Sequence, residues 1–361
     1  MSGVRRAPRM PSSLPLGTAR TFALRRGRAQ WTVCLGGVAI LLSLPLVLSA
    51  YWLHLANLVL IAVVGAVALN LLTGNARLVS LGQAAFLGIG AFTAGLMSRA
   101  AEIPFPLVLV AAAAAGGIVG LIVAIPSLKL RVLYVAVTTL ALHFAVATIL
   151  VMIQAVVLDS SGITLPIPAL GPLALDSAVK WYYALFSIAA LVVLGALNLL
   201  RSYVGRRWVA VGEHDVAAAA LGVSVVRAKL SVFVVSSAVV ALAGALMAYY
   251  IGTVSFESFN LNLAIAYLAM IIVGGMGRVL GSVLGAVLIT LLPYLLDQAF
   301  AGLGLGIRAS TLAGIQEVMY GALIVGFLLF EPRGLAEIWR HLRAAAADWP
   351  FRYRAVQRGQ R

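Results

Sequence analysis

Polar and apolar positions in this chain are segregated into long blocks. Ten apolar runs can be marked, at 31–50, 55–72, 78–98, 105–125, 132–152, 181–200, 230–250, 262–275, 279–296 and 314–330. Most approach the ~20 residues a helix needs to cross a hydrocarbon core about 30 Å thick. They predict an all-α integral membrane protein, a polytopic helix bundle of about 8–10 transmembrane segments. The count is a range for two reasons. The run 262–275 is short and ends in Gly274-Gly275-Met276-Gly277, so a broken or re-entrant helix fits there; the run 78–98 is rich in glycine.

The polar blocks between the runs differ in charge. The chain has 26 Lys and Arg against 11 acids. If the runs alternate in direction, every basic residue except Arg99, Lys180 and Arg308 falls on one side. Cytoplasmic connections carry the excess of Lys and Arg. The pattern therefore predicts an even number of crossings with both termini cytoplasmic. It divides the chain into a basic arm at 1–30, a transmembrane region at 31–332 and a basic tail at 333–361. The tail is expected to begin as an interfacial helix near Leu335 to Leu342. The arm has no acid, and the run after it exceeds the about 7–15 residues of a secretory h-region, so an uncleaved first span is expected. The loop at 153–180 is expected to be external, ordered and irregular.

Composition supports the membrane reading. The chain is 361 residues long, 63% apolar and 10% charged, whereas soluble domains carry about 25% charged residues. A net charge of +15 could mark a nucleic-acid binder in a soluble protein. Beside apolar spans it reports topology and contact with an anionic bilayer, and no nucleic-acid partner is expected. The single cysteine, Cys34, allows no disulfide within the chain, and no Cys/His spacing suits a metal. No cofactor is expected.

Chemistry can reside in few places. The loop 201–229 is long for a connection between spans. Glu213 and Asp215 precede a run of helix formers, which suits a helix start, and Gly222 is placed as its C-cap. Such a helix, with Ala217, Ala218, Ala219 and Ala220 on a smooth face, suits docking into a groove on a soluble partner. It equally suits an interfacial helix on lipid, which Trp208 and its neighbouring arginines would favour. In the stretch 80–95, small residues recur four apart, at Ala84/Gly88, Gly90/Ala94 and Ala91/Gly95, a spacing that lets helices approach closely in lipid. Gly82 belongs to the same packing stretch. Packing explains it, and so would a solute path, for which Gln83, Phe86 and Thr93 are candidates. Gly274, Gly275 and Gly277 allow a sharp break, as an interhelical turn or a hinge. His143 lies mid-span as a path candidate or a hydrogen-bonded packing residue; Glu317 and Asp297 lie near span ends. No paired mid-membrane carboxylates, catalytic set or P-loop pattern is present, so any ATPase must be another chain and no enzyme is expected.

These stretches together resemble the inner-membrane permeases of branched-chain amino acid ABC importers, of the LivM type. The resemblance is carried by Leu72-Thr73-Gly74, Ser80 through Phe92, Leu130-Arg131 with Tyr134 through Leu140, and Glu213 through Val223. Lys229-Leu230, Ala243 through Leu246, Gly274 through Gly277 with Gly281 and Gly285, and Tyr320-Gly321 with Pro332 through Leu335 complete it. It runs from about 55 to 336. It implies a heteromeric importer in the inner (plasma) membrane of a bacterium: a periplasmic solute-binding protein, a second homologous permease subunit and two ATP-binding cassette ATPase subunits. The loop would couple the ATPases to the spans through Glu213, Asp215, Ala217 to Ala220 and Gly222. Arg77, Leu78, Ala219 and Ser282 depart from the family pattern. The resemblance also covers importers of urea, short amides, aromatic acids or sugars. An ion-coupled secondary transporter, or a membrane scaffold or enzyme, would be a different class.

Overall fold

The computed structural model describes residues 28–100, 103–127, 132–157, 162–170, 173–302, 309–330 and 334–340. Most of the predicted basic arm, the connection with Lys129 and Arg131, Arg308 and the tail beyond 340 lie outside these residues. The chain divides into two units, residues 1–48 and 49–361. The first contributes one helix, α1 (Arg28–Val47), with Pro45 inside it.

The second unit is helical because a chain in hydrocarbon must satisfy its own backbone hydrogen bonds. Its helices are α2 (Ala50–Leu69), α3 (Gln83–Ala100), α4 (Phe105–Ser127), α5 (Val132–Met152), α6 (Ala178–Arg201), α7 (Tyr203–Glu213), α8 (Asp215–Ala220), α9 (Val225–Ile251), α10 (Leu261–Gly274), α11 (Val279–Gly302) and α12 (Ala309–Phe330). A last short helix, α13, covers residues 335–340. Each predicted run thus has its helix. Among the described residues, six are long and apolar enough to cross a membrane: Ala50–Asn75, Phe105–Pro126, Tyr134–Ala155, Ala178–Arg201, Val225–Ile251 and Val279–Gln298.

Helix α9 occupies the centre. It packs on α4, α3 and α2, and small residues set the distances. A Cβ on Gly90 of α3 would stand 1.8 Å from the Ala241 carbonyl oxygen, and one on Gly244 of α9 would stand 2.0 Å from that of Leu87. Gly120 of α4 lies equally close on Ser237. Without a hydrophobic force between helices in lipid, contacts this close are what hold them together. Helices α10 and α11 cross the same way, with Gly285 against the Met270 carbonyl.

The ends of α2 and α9 define two poles. At one, α2 loosens into a π-helical turn, Asn70–Asn75. There Asn70 Oδ1 accepts from the Gly277 N–H at 2.8 Å, in the turn between α10 and α11, where Gly275 has φ +113° and Gly277 φ +80°. This pole gathers Arg77, α7, α8 and Arg278, all predicted on one side. At the other, β1 (Ile163–Thr164) pairs antiparallel with β4 (Thr253–Val254), and β2 (Ala169–Leu170) with β3 (Leu173–Ala174). The described parts of the 153–180 loop thus contain short strands as well as irregular chain.

The break at Gly274 to Gly277 is an interhelical turn. The described part of the predicted tail helix, α13, packs one face on the bundle. Ala336 and Glu337 are buried, and Gly334 stands against Gly275, where a Cβ would come within 2.5 Å of the Gly275 nitrogen.

Replacing Gly244 by Leu should destabilise the bundle by about 3 kcal/mol or more, since backbone rather than a flexible side chain blocks the site. Gly321→Leu, with open space around it, should stay within about 0.5 kcal/mol. Thermal unfolding in detergent separates the two; equal melting temperatures would refute the close packing of α9 on α3.

Candidate functional site

Two features stand at opposite poles of the second unit. The first is a cavity of about 550 Å³ between α2, α9, α10, α11 and α12. That size lies within the ~300–1,000 Å³ of small-molecule sites. Its walls are apolar, with Ile61, Ala62, Met247, Ala266 and Ile289 among them. Its polar groups are His54, Tyr250, Tyr267, Thr290, Tyr294 and Tyr320. His54 Nδ1 and the Tyr250 hydroxyl share a hydrogen bond of 2.7 Å, and Asn57 Nδ2 donates to the same hydroxyl at 3.2 Å. Thr290 Oγ1 has no hydrogen-bond partner among the described residues. One turn beyond Tyr320 on α12, Glu317 accepts a hydrogen bond from Asn262 at the start of α10.

The predicted path residues do not line this cavity. Gln83, 2% exposed, stands behind its wall: Nε2 donates to the Gly65 carbonyl at 3.1 Å, and Gly65 lies under the Tyr267 ring, which leaves no room there for a Cβ. Phe86 is buried in the core. Thr93 turns its hydroxyl to the Ile89 carbonyl of its own helix at 2.7 Å. His143 is buried in α5 against Phe144, and its Nδ1 has no partner among the described residues. Gly82 stands close on Thr139, and Gly88 close on Leu150 and Phe259. The cavity's tyrosines were passed over in the sequence because Tyr usually marks a bilayer interface. Their recurrence in four separate apolar runs, Tyr250, Tyr267, Tyr294 and Tyr320, is the signal the sequence holds.

The second feature is the polar pole. The predicted coupling segment folds as two helices. Glu213 ends α7 rather than starting the next helix; the chain breaks at His214, with φ −152°. Helix α8 begins at Asp215, whose carboxylate accepts from the Val216 N–H at 2.9 Å and lies 3.8 Å from Lys229 Nζ. Gly222 follows with φ +83°. Of α8 only Ala218 is buried; Ala217, Ala219 and Ala220 are exposed, with Val216 at 79% and Leu221 at 85%. Trp208, which a lipid-lying helix would turn outward, is 1% exposed. Its Nε1 donates to Ser231 Oγ of α9 at 2.8 Å.

This pole is tightly interlocked. Gly212 of α7 stands against Asn75 and Ala76, Gly74 of the π turn against Asn70 and Gly277, and Gly334 against Gly274 and Gly275. Arg278 Nη1 donates to Glu337 Oε2 at 2.6 Å, and Arg340 also pairs with that carboxylate. Burial alone would raise the Glu337 pKa; the hydrogen bond and charge of Arg278, joined by Arg340, outweigh it and hold the pKa below the usual carboxylate value. No group of three or more His, Cys, Asp or Glu comes together among the described residues.

A family model described as the branched-chain amino acid transport system permease component matches residues 51–328. The LivM permease of the high-affinity branched-chain amino acid transport system of Salmonella typhimurium is 28% identical over 331 residues, 84% of this chain and 74% of that protein. The Escherichia coli LivM permease is 29% identical over 324 residues, 82% of this chain and 72% of its own length. The autoinducer 2 import system permease LsrC of an Enterobacter species is 28% identical over 164 residues, 44% of this chain and 45% of that protein. No solved structure matches the chain.

Because the Glu337 pKa is depressed on folding, its stabilising effect is complete above the ordinary carboxylate pKa and is lost as pH falls through the lower folded value. The melting-temperature gap between the natural chain and Glu337→Gln should be widest at neutral pH and should close only at pH values below the ordinary carboxylate pKa. A gap independent of pH would show that the ion pair is not its source.

Proposed function

The chain belongs to the family of branched-chain amino acid transport permease components, and from this premise we propose that it passes branched-chain amino acids through the cavity between α2, α9, α10, α11 and α12. It is a permease subunit of an ABC importer, a multi-pass inner-membrane protein, with ATP hydrolysis on a separate subunit. In this reading a binding protein delivers the solute, a second homologous permease completes the path, and two ATPases dock at the polar pole.

One observation supports it above the rest. Helices α2, α10 and α11, which wall the cavity, are the same helices whose opposite ends lock together through Asn70, Gly74 and Gly277. Helix α7 rests on that lock through Gly212. A push on α8 therefore has a short route to the cavity walls. Val216, Ala217, Ala219, Ala220 and Leu221 offer the ATPase an exposed apolar face, of the kind that marks a partner site. Ala218 anchors that face, Asp215 is steadied by Lys229, Glu213 closes the helix before it, and Gly222 turns the chain back to α9. The cavity suits an apolar side chain, and the Glu317 carboxylate, one turn from the lining Tyr320, suits an ammonium group. Gln83 braces the wall. The similarity to LsrC spans under half the chain, so the amino-acid reading is preferred.

The test combines purification of the tagged complex from native membranes with uptake of labelled leucine. Two ATPases and a second permease should co-purify. Leu221→Asp should lower ATPase recovery and uptake on the order of tenfold, as expected of a central apolar contact, with normal abundance of the chain. Normal uptake by that variant would remove α8 from coupling. Thr290→Phe should keep the ATPases bound while uptake is lost; retained uptake would take the cavity out of the path. Saturable uptake of another solute with none of leucine would reassign the substrate.

A further inference from the structure

A second cavity of about 550 Å³ lies where α6 and α9 both lean on α2 but scarcely touch each other. Its floor is Ala68 and Leu71. Its sides are Leu191, Val192, Gly195 and Leu199 of α6 and Val235, Val239 and Leu242 of α9. It is thus apolar along its length and ends in polar residues at Asn198 and Ser202. From Leu191 to Ser202 a helical path covers roughly 16 Å, about half a hydrocarbon core of ~30 Å and so the depth of one leaflet. Gly195 keeps the groove open: nothing stands within 4 Å of where its Cβ would be. Leu191 and Leu194 beside it are 72% and 59% exposed.

The polar end of the groove is basic. Arg201 ends α6, and Arg206 sits in the first turns of α7, its Nη1 donating to the Arg201 carbonyl at 3.1 Å. Arg207 lies over the Tyr203 ring at 3.7 Å, and its Nε has no hydrogen-bond partner among the described residues. No carboxylate among the described residues pairs with any of the three. A leaflet-deep apolar slot leading to unneutralised arginines has the shape and charge of one phospholipid.

We propose that this groove is a binding site for a single anionic phospholipid, with an acyl chain between α6 and α9 and its phosphate on Arg201 and Arg206. Basic pockets between spans recognise anionic headgroups in this way. A helix of a partner permease could fill the slot but would leave the arginines without counter-charge, whereas a lipid answers both at once. The proposal is independent of which solute the cavity carries.

The test is native mass spectrometry of the complex, extracted from vesicles of equal parts phosphatidylglycerol and phosphatidylcholine. The natural chain should retain one phosphatidylglycerol in preference to phosphatidylcholine by about tenfold, each arginine contributing about fivefold at most. Arg201→Gln with Arg206→Gln should bring the preference close to parity. Gly195→Trp, whose Cβ meets open space and whose folding is checked by its melting temperature, should reduce retention of both lipids. Equal retention of the two lipids by the natural chain would overturn the proposal. So would unchanged lipid retention in Gly195→Trp, and if that variant also loses the second permease, the groove is a protein interface instead.

Discussion

The structure depends on how closely helix backbones can approach in a medium that supplies no hydrophobic force between them. Lipid tails are as apolar as the side chains they touch, so association comes from packing and buried hydrogen bonds. Helix α9 meets that demand on three sides. Gly90 and Gly120 admit its Ala241 and Ser237 faces, its own Gly244 admits Leu87 of α3, and Ser236 Oγ donates to the Ala68 carbonyl of α2 at 2.7 Å. Every other element of the second unit takes its position from a helix in this group or from α10 and α11, which cross through Gly274, Gly281 and Gly285.

This packing leaves the bundle unevenly stiff. The α3–α4–α9 contact is backbone on backbone and has little room to slide. The α2 end is different, because a π-helical turn such as Asn70–Asn75 replaces regular hydrogen bonds with weaker geometry and is often found at functional positions. Asn70 uses its Oδ1 to receive Gly277, while its Nδ2 has no partner among the described residues, so the joint is held by one good bond where two were available. A buried amide left half satisfied is costly. The joint lies between α7 and the cavity helices.

The apolar runs were legible in the sequence because backbone in hydrocarbon has one economical solution, and run length then gives the helix. The glycine spacing in 80–95 was legible as close packing, and the structure uses Gly90 for that purpose. The break at His214 was not: His, Asp and Val are weaker helix formers than Ala, but by only a few tenths of a kcal/mol each, too little to mark a boundary, while the buried Gly205, Trp208 and Val211 seat α7 on its neighbours. Trp208 misled for a related reason: its indole suits a lipid interface until Ser231, 23 residues later, supplies a partner. The cavity was illegible because its walls come from five helices, and no local pattern records which faces of Tyr250, Tyr267 and Tyr320 converge. The tail's docking depends on Glu337 meeting Arg278 across 59 positions, a pairing that sequence distance conceals.

In the proposed docking role, helix α8 would depend on a partner more than any other element of the second unit. Six residues are far below the ~12–15 at which an isolated helix becomes even marginally stable in water. It buries only Ala218 and has one long ion contact, from Asp215 to Lys229, a type of interaction that contributes little at a surface. Yet it projects Val216 and Leu221 almost wholly outward, where apolar area gives nothing until it is covered. Under the proposed docking, covering Val216 and Leu221 would supply the stabilisation that α8 gains little of from its own chain. A partner seated there would press α7 through Gly212 onto the turn at Asn75, and so reach the joint whose helices enclose the cavity.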